Sequence, residues 1–283
     1  MKFLIVGNGQ LGSEFERLLK KRSNDEFVLH DKKTLDITNR ENVEKVIGAY
    51  QPDWILDAAA YTAVDKAEDE GKEVNWLVNE TGTQNLVEVA KKNNSKLVYV
   101  STDYVFDGTN KNEISENDSV NPQNEYGKAK LAGEQIVSKS GIDFYTIRTS
   151  WVFGEFGNNF VFTMQKLAQT HPELNVVNDQ TGRPTWAKNL AEFIFYLIDN
   201  HSAFGTYHFS NDGVATWFDF ASEILKNEDV KINPVDSSAF AQKAYRPKYS
   251  VMSLAKAKGT GFIIPNWQNA LQQFLNEIKQ NND

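Results

Sequence analysis

The stretch "NEYGKAKLAGE" sets Tyr126 and Lys130 four residues apart, a spacing that on a helix puts a phenol and an ammonium on one face. A phenol delivers a proton best when its pKa falls from near 10 toward the working pH. A shift of about three units is roughly 4 kcal/mol, and an ammonium about 5 Å away at an effective dielectric near 20 supplies roughly 3 of it. Upstream, "VYVSTDYVFDG" brings Ser101, Thr102 and Asp103 to the C-terminal end of a predicted strand, the edge at which open α/β sheets bind ligands. A Thr hydroxyl donating to a carbonyl, a Tyr delivering a proton and a Lys beside it make an acid catalyst for hydride chemistry.

Such groups need a rigid scaffold. Apolar runs predict strands at 2–6, 27–30, 54–58, 96–101 and 142–147, with helical patterns between most of them. Alternating β and α elements imply a Rossmann-type doubly wound parallel sheet with helices on both faces. After the first strand, "VGNGQLGSE" places Gly7, Gly9 and Gly12 in G-x-G-x-x-G order, with Asn8, Gln10 and Leu11 between them. Glycines allow the tight turn and the close approach of a pyrophosphate to a helix N-terminus. Asp31 ends the second strand about 20 residues on, where a carboxylate bonds the ribose 2′-hydroxyl of NADH. Lys32 and Lys33 are equally placed for the 2′-phosphate of NADPH, so both cofactors stay open.

Past Thr149 the pattern changes. "GEFGNN" and "NDQTGRPT" punctuate a loop-rich region, and helices are predicted from about 160, over 187–198, near 217–227 and over 267–279. The expected division is an NAD(P)-binding domain over 1–150, to which segments near 186–210 return, and a smaller substrate lobe over 151–283. A short strand "TYHFS" (206–210) is a late addition to the sheet, and its His208 reads as a packed strand residue.

Composition narrows the class. Of 283 residues 40% are hydrophobic and 24% charged, as in globular proteins, and no apolar run reaches the ~18 residues of a membrane span. "MKFLIVGNG" has too short an apolar run for a signal peptide. A net charge of −8 disfavours nucleic acid. The absence of cysteine rules out disulfides and thiolate metal sites and fits the cytoplasm. The charge run "DKAEDEGKE" reads as a solvated helix face.

The glycine loop, Asp31, Thr102 and the Tyr-x-x-x-Lys pair together resemble an extended short-chain dehydrogenase/reductase. "GQLG", "AAAYTAVDKAE", "STDYVFDG", "YGKAKLAGE", "RTSWVFG", "GNNF", "NDQTGRPT" and "NWQNAL" follow, from one end of the chain to the other, the order found in the dTDP-4-dehydrorhamnose reductase family. The resemblance implies reduction of the C4 ketone of dTDP-6-deoxy-L-lyxo-4-hexulose by NADPH or NADH. It implies Thr102, Tyr126 and Lys130 as catalytic. Gly7, Asn8, Gly9, Gln10, Leu11, Gly12, Asp31, Asp36, Ile37, Ala58, Ala59, Ala60 and Asn79 would line the cofactor, with Tyr126 and Lys130. Thr102, Asp103, Trp151, Asn159, Arg183 and Arg246 would face the dTDP-4-keto-6-deoxy sugar, although Trp151, like Trp54 and Trp267, also reads as a packing aromatic. Family members commonly carry G-x-x-G-x-x-G, one residue longer than the loop here. Some are thought to dimerise through a magnesium ion held by glutamates. Glu14 and Glu277 match those, but Lys188 stands where an acid is expected, so no metal is predicted and the chain is a monomer or a homodimer. A 4-ketoreductase of another nucleotide sugar and a non-catalytic cofactor-binding relative are the alternatives.

Overall fold

Phe3 and Ile5 point to one side of the first strand and Leu4 and Val6 to the other, and all four are buried. Side chains alternate along a strand, so a continuous apolar run is what a sheet covered on both faces requires. In a computed structural model that describes residues 1–280, β1 (Lys2–Val6), β2 (Glu26–His30), β3 (Trp54–Asp57), β4 (Lys96–Thr102) and β5 (Phe144–Thr149) run parallel in one sheet. The strand Gly205–His208 completes it, and the order across the sheet is β2, β1, β3, β4, β5, then Gly205–His208. The fold is α/β and doubly wound.

Helix α1 (Gln10–Leu19) covers one face, its Phe15 meeting Phe195 of a later helix, ring centroids 5.7 Å apart, in one core cluster with Phe3 of the sheet. The other face carries α2 (Arg40–Tyr50), a short α3 (Lys72–Trp76) continued by a π-helical turn (Leu77–Gly82), α4 (Thr83–Asn93) and α5 (Glu125–Lys139). Each fully buried Leu, Ile or Phe contributes roughly 1.5–3 kcal/mol, so these two layers hold the sheet rigid beneath its loops. Strand order reverses between β1 and β3. Chains leave those two ends in opposite directions, and the crevice so opened is where doubly wound sheets take ligands.

The rest of the chain includes α6 (Phe160–Ala168), α7 (Ala187–Asp199), α8 (Trp217–Ile224), α9 (Ala255–Gly259) and α10 (Trp267–Gln280). Helix α7 supplies the Phe195 that meets α1, and its Phe193 and Ile194 belong to the same cluster. Phe153, Met164, Phe220, Trp267 and Phe274 form a separate aromatic core around α6, α8 and α10.

Three local expectations change. β5 begins at Phe144, later than predicted, because the Ser140 hydroxyl still accepts the Ile142 amide at 3.2 Å and keeps the chain turning. Glu173–Val177 and Lys231–Val235 pair as parallel strands, which the pattern did not reveal. Pro234 argues against a strand and is tolerated because the sheet has two strands only. The charge run is only partly solvated. Asp65 accepts Arg246 at 2.8 and 3.0 Å, and Glu68 accepts the Glu125 amide at 2.8 Å, tying distant segments together.

Candidate active site

The dinucleotide end is built by the turn from β1 into α1. Gly7 has φ +94°, open to glycine without strain, and a Cβ on Gly12 would lie 1.8 Å from the Gly7 carbonyl oxygen, so the helix start can sit on the strand exit only without a side chain. Gly9 differs: a Cβ there would meet no protein atom within 4 Å. The protein itself does not require glycine at 9; a group lying against the backbone would. A cavity of about 340 Å³ runs past Gly7, Asn8, Gly9, Asp36, Ile37 and Ala58–Ala60. It adjoins a second of about 480 Å³ that shares Gly9 and Ala58–Ala60 and reaches Gln10, Leu11, Thr102, Asp103, Tyr126 and Trp151. A bare-backbone cradle at a helix N-terminus, joined to a reactive chamber, fits a dinucleotide.

Asp31 and Lys32 divide differently from expectation. Asp31 Oδ1 accepts the Lys33 amide, the Thr34 amide and the Thr34 hydroxyl at 3.0, 3.0 and 2.9 Å, closing an Asx-type turn. Lys32, not Asp31, lines the cavity. Lys32→Ala is therefore expected to raise the Kd for NADPH about tenfold, the order of one charge-assisted hydrogen bond, and to leave NADH nearly unchanged. Fluorescence titration with both cofactors checks this, and equal losses would remove Lys32 from the 2′-phosphate.

The reacting end depends on where α5 starts. Asn124 caps it, its side chain accepting the Gly127 amide at 2.7 Å while its Nδ2 donates to the Tyr245 carbonyl. A Cβ on Gly133 would fall 2.2 Å from the Tyr99 hydroxyl, so glycine lets the helix press against β4. Tyr126 thereby arrives beside Thr102 and Asp103 at the end of that strand, and Lys130 over the Tyr99 ring. The Tyr126 ring meets Tyr104 edge-on, centroids 6.0 Å apart. Thr102 donates to Asp103 Oδ1 at 3.1 Å and accepts the Tyr104 amide at 3.1 Å.

The electrostatics correct the simple Tyr–Lys estimate. Burial, then the Asp103 charge, holds the Tyr126 phenol above its usual pKa, and a hydrogen bond with Thr102 opposes them. The Lys130 ammonium stands 4.0 Å from the centre of the Tyr99 ring, and burial lowers its pKa to about 8 against the pull of Asp57 and Glu134. The phenol thus keeps its proton at neutral pH, as an acid must. Burial also raises Asp103 to about 6, against the pull of Ser250 and Thr102. Its Oδ2 is buried, with no partner in hydrogen-bonding geometry among the described residues.

Other predicted residues are placed as follows. Asp36 holds the Thr38 amide and hydroxyl at 3.0 and 2.7 Å, shaping a wall of the 340 Å³ cavity. Asn79 braces that wall from behind, bonding Tyr61 twice and Asn75. Trp151 lines the chamber with φ +48° and stacks on Trp217, ring centroids 3.8 Å apart; positive φ in a bulky residue marks strain held by its surroundings. Asn159 caps α6 and donates to the Gly154 carbonyl at 2.7 Å. Arg183 pairs with Glu113 and Asp212, and Arg246 with Asp65, so neither guanidinium reaches the chamber with its charge unanswered. Trp217 and Asp57 also line the chamber and escaped the sequence reading. The signal for Trp217 was the capping box of Thr216 and Asp219, which fixes Trp217 as the first helical residue.

At Glu14 and Glu277, which match the glutamates that hold metal in some family members, cations intervene. Arg17 pairs with Glu14 at 2.7 Å and Glu277 at 3.3 Å, and Lys188 bonds Glu277 directly. Among the described residues no group of three or more His, Asp or Glu is arranged to hold a metal.

A parallel doubly wound sheet with a glycine turn at its switch point and Thr102 and Tyr126 in the adjoining chamber defines a nucleotide-dependent oxidoreductase of the short-chain dehydrogenase/reductase type. Within that class the chain belongs to the family described as RmlD substrate binding domain, which matches residues 1–280. It is similar to the crystal structure of a dTDP-4-dehydrorhamnose reductase from Clostridium acetobutylicum, with 41% identity, TM-score 0.95 and coverage of 99% of this chain and 100% of that one. It is also similar to the dTDP-4-dehydrorhamnose reductase of Bacillus anthracis solved with NADP, with 39% identity, TM-score 0.93 and coverage of 98% and 99%. The Bacillus subtilis spore coat polysaccharide biosynthesis protein SpsK is 38% identical, over 98% of this chain and 97% of its own.

Proposed function

We propose that this chain reduces the C4 ketone of dTDP-6-deoxy-L-lyxo-4-hexulose to dTDP-L-rhamnose with NADPH or NADH. The observation that carries this reading is the meeting of Thr102, Tyr126 and the glycine-turn cleft in one continuous chamber, in a chain whose relatives by near full-length match include dTDP-4-dehydrorhamnose reductases. Gly7, Gly9, Gln10, Leu11 and Ala58–Ala60 would hold the dinucleotide, which when bound supplies the hydride. Thr102, freed from Asp103, donates its hydroxyl to the ketone oxygen and stabilises the charge growing there. Tyr126 passes its phenolic proton to that oxygen, completing the alcohol, and Lys130 stabilises the phenolate left behind. Asp103 lines the chamber and offers its carboxylate as an acceptor for a sugar hydroxyl. Trp151 and Trp217 give the sugar an apolar wall. The cytoplasm fits a chain without cysteine, and among the described residues no helix is long and apolar enough to cross a membrane.

The test is oxidation of reduced nicotinamide in the presence of dTDP-4-keto-6-deoxyglucose, with and without a 3,5-epimerase. Turnover that depends on the epimerase is expected. Equal turnover without it would make the chain a 4-ketoreductase of the unepimerised sugar, and no turnover in either arm would reject the reaction.

A further inference from the structure

Lys130 is 1% exposed, and a buried ammonium needs an anion. Glu134, one turn further along α5, accepts Arg148 of β5 at 2.7, 3.0 and 3.2 Å, so its charge is already answered. Asp57, 2% exposed at the end of β3, accepts the Ala59 amide at 3.1 Å, a contact that leaves its charge uncompensated. Asp57 and Tyr99 are register partners on β3 and β4, which puts their side chains on one face of the sheet. The Tyr99 hydroxyl donates to the Lys130 carbonyl at 3.1 Å, orienting the ring beneath the ammonium 4.0 Å away. Carboxylate, ring and ammonium occupy one buried corner, and Asp57 also lines the chamber of Thr102 and Tyr126.

We propose that Asp57 is a positioning residue, the counterion that keeps Lys130 charged and so sets the upper pH limit of reduction. The remaining charged groups around α5 are engaged elsewhere. Glu125 pairs with Lys72 and Lys128, Glu68 holds the Glu125 amide, and the Asp103 charge acts on Tyr104 and Tyr126. Tyr99 is pushed well above the ordinary phenol range by burial and by Asp57, and stays neutral. Burial raises Asp57 to about 6 and lowers Lys130 to about 8, each drawn back by the other. Between those values both carry charge, and there the pair is complete.

Asp57→Asn keeps an acceptor for the Ala59 amide while removing the charge. It is expected to move the alkaline limb of the kcat profile down by about one pH unit. The midpoint for the Lys130 ζ-nitrogen, followed by NMR in lysine-labelled protein, should fall by the same amount. A loss of thermal stability or a rise in KM with both midpoints unmoved would assign Asp57 a structural role and overturn the proposal. Should the amide variant fail to fold, Asp57→Ser is read by the same two midpoints. The inference rests on Tyr126 and Lys130 being the catalytic pair, and the two failures are separable. Full turnover by Tyr126→Phe rejects the catalytic reading, whereas an unmoved Lys130 midpoint in Asp57→Asn rejects this proposal alone.

Discussion

Tyr126→Phe lowers kcat by about three orders of magnitude, within the range of removing a positioned general acid, and leaves the Kd for NADPH within about threefold. The expectation rests on what the substitution keeps. The ring stays edge-on against Tyr104, and the hydroxyl alone is lost. That hydroxyl carries the proton the nascent alkoxide needs, and burial keeps it protonated across neutral pH. In the proposed mechanism Lys130 acts on the other side of the transfer. Its ammonium, with a pKa of about 8, stabilises the phenolate that forms, so kcat should fall as pH rises through that value. Lys130→Met should slow turnover and abolish that limb. Stopped-flow single turnovers separate the chemical step from release, and a Tyr126→Phe enzyme working at near the wild-type rate would end this mechanism.

How far the fold was legible depended on the kind of signal each element carries. β1, β3 and β4 are apolar on both faces and bounded by polar turns, so runs such as "KLVYVS" read as buried strands without help from tertiary structure. The pair Glu173–Val177 and Lys231–Val235 alternates and contains Pro234, so nothing local distinguishes it from loop. Asp65 and Glu68 look solvated by composition, and what orients them, Arg246 and the Glu125 amide, lies far along the chain.

The site divides in the same way. Motif spacing could place Thr102 and Tyr126, which line one chamber, because a strand end and a helix start are local geometries. Charge balance is not local. Lys130 as a free cation beside Tyr126 was a reasonable reading of spacing, but its actual neighbours, Asp57, Tyr99 and Glu134, are set by β3, β4 and the helix interior. Asp31 shows the converse. Its position at the end of β2 was foreseeable, while the closing of its carboxylate onto Thr34 came from the turn that follows.

The second large effect belongs to Gly9. Gly9→Val is expected to raise the Kd for NADPH and NADH by at least about a hundredfold while leaving the thermal midpoint within about 2 °C, because the protein and the ligand make different demands on this position. Gly9 sits at φ −77° and ψ −163°, extended backbone that a side chain can adopt. A Cβ placed there meets no protein atom within 4 Å. The fold therefore accepts valine, and the branched side chain projects into the cleft where a pyrophosphate must approach the backbone. Gly12 sets the opposite case. A Cβ there would run into the Gly7 carbonyl at 1.8 Å, so Gly12→Val should lower the thermal midpoint as well as binding. Calorimetric titration of both variants, with thermal melts of each, tests the contrast. If Gly9→Val binds cofactor as the wild type does, the glycine turn is not the dinucleotide site, and the chamber beside it must take its hydride from elsewhere.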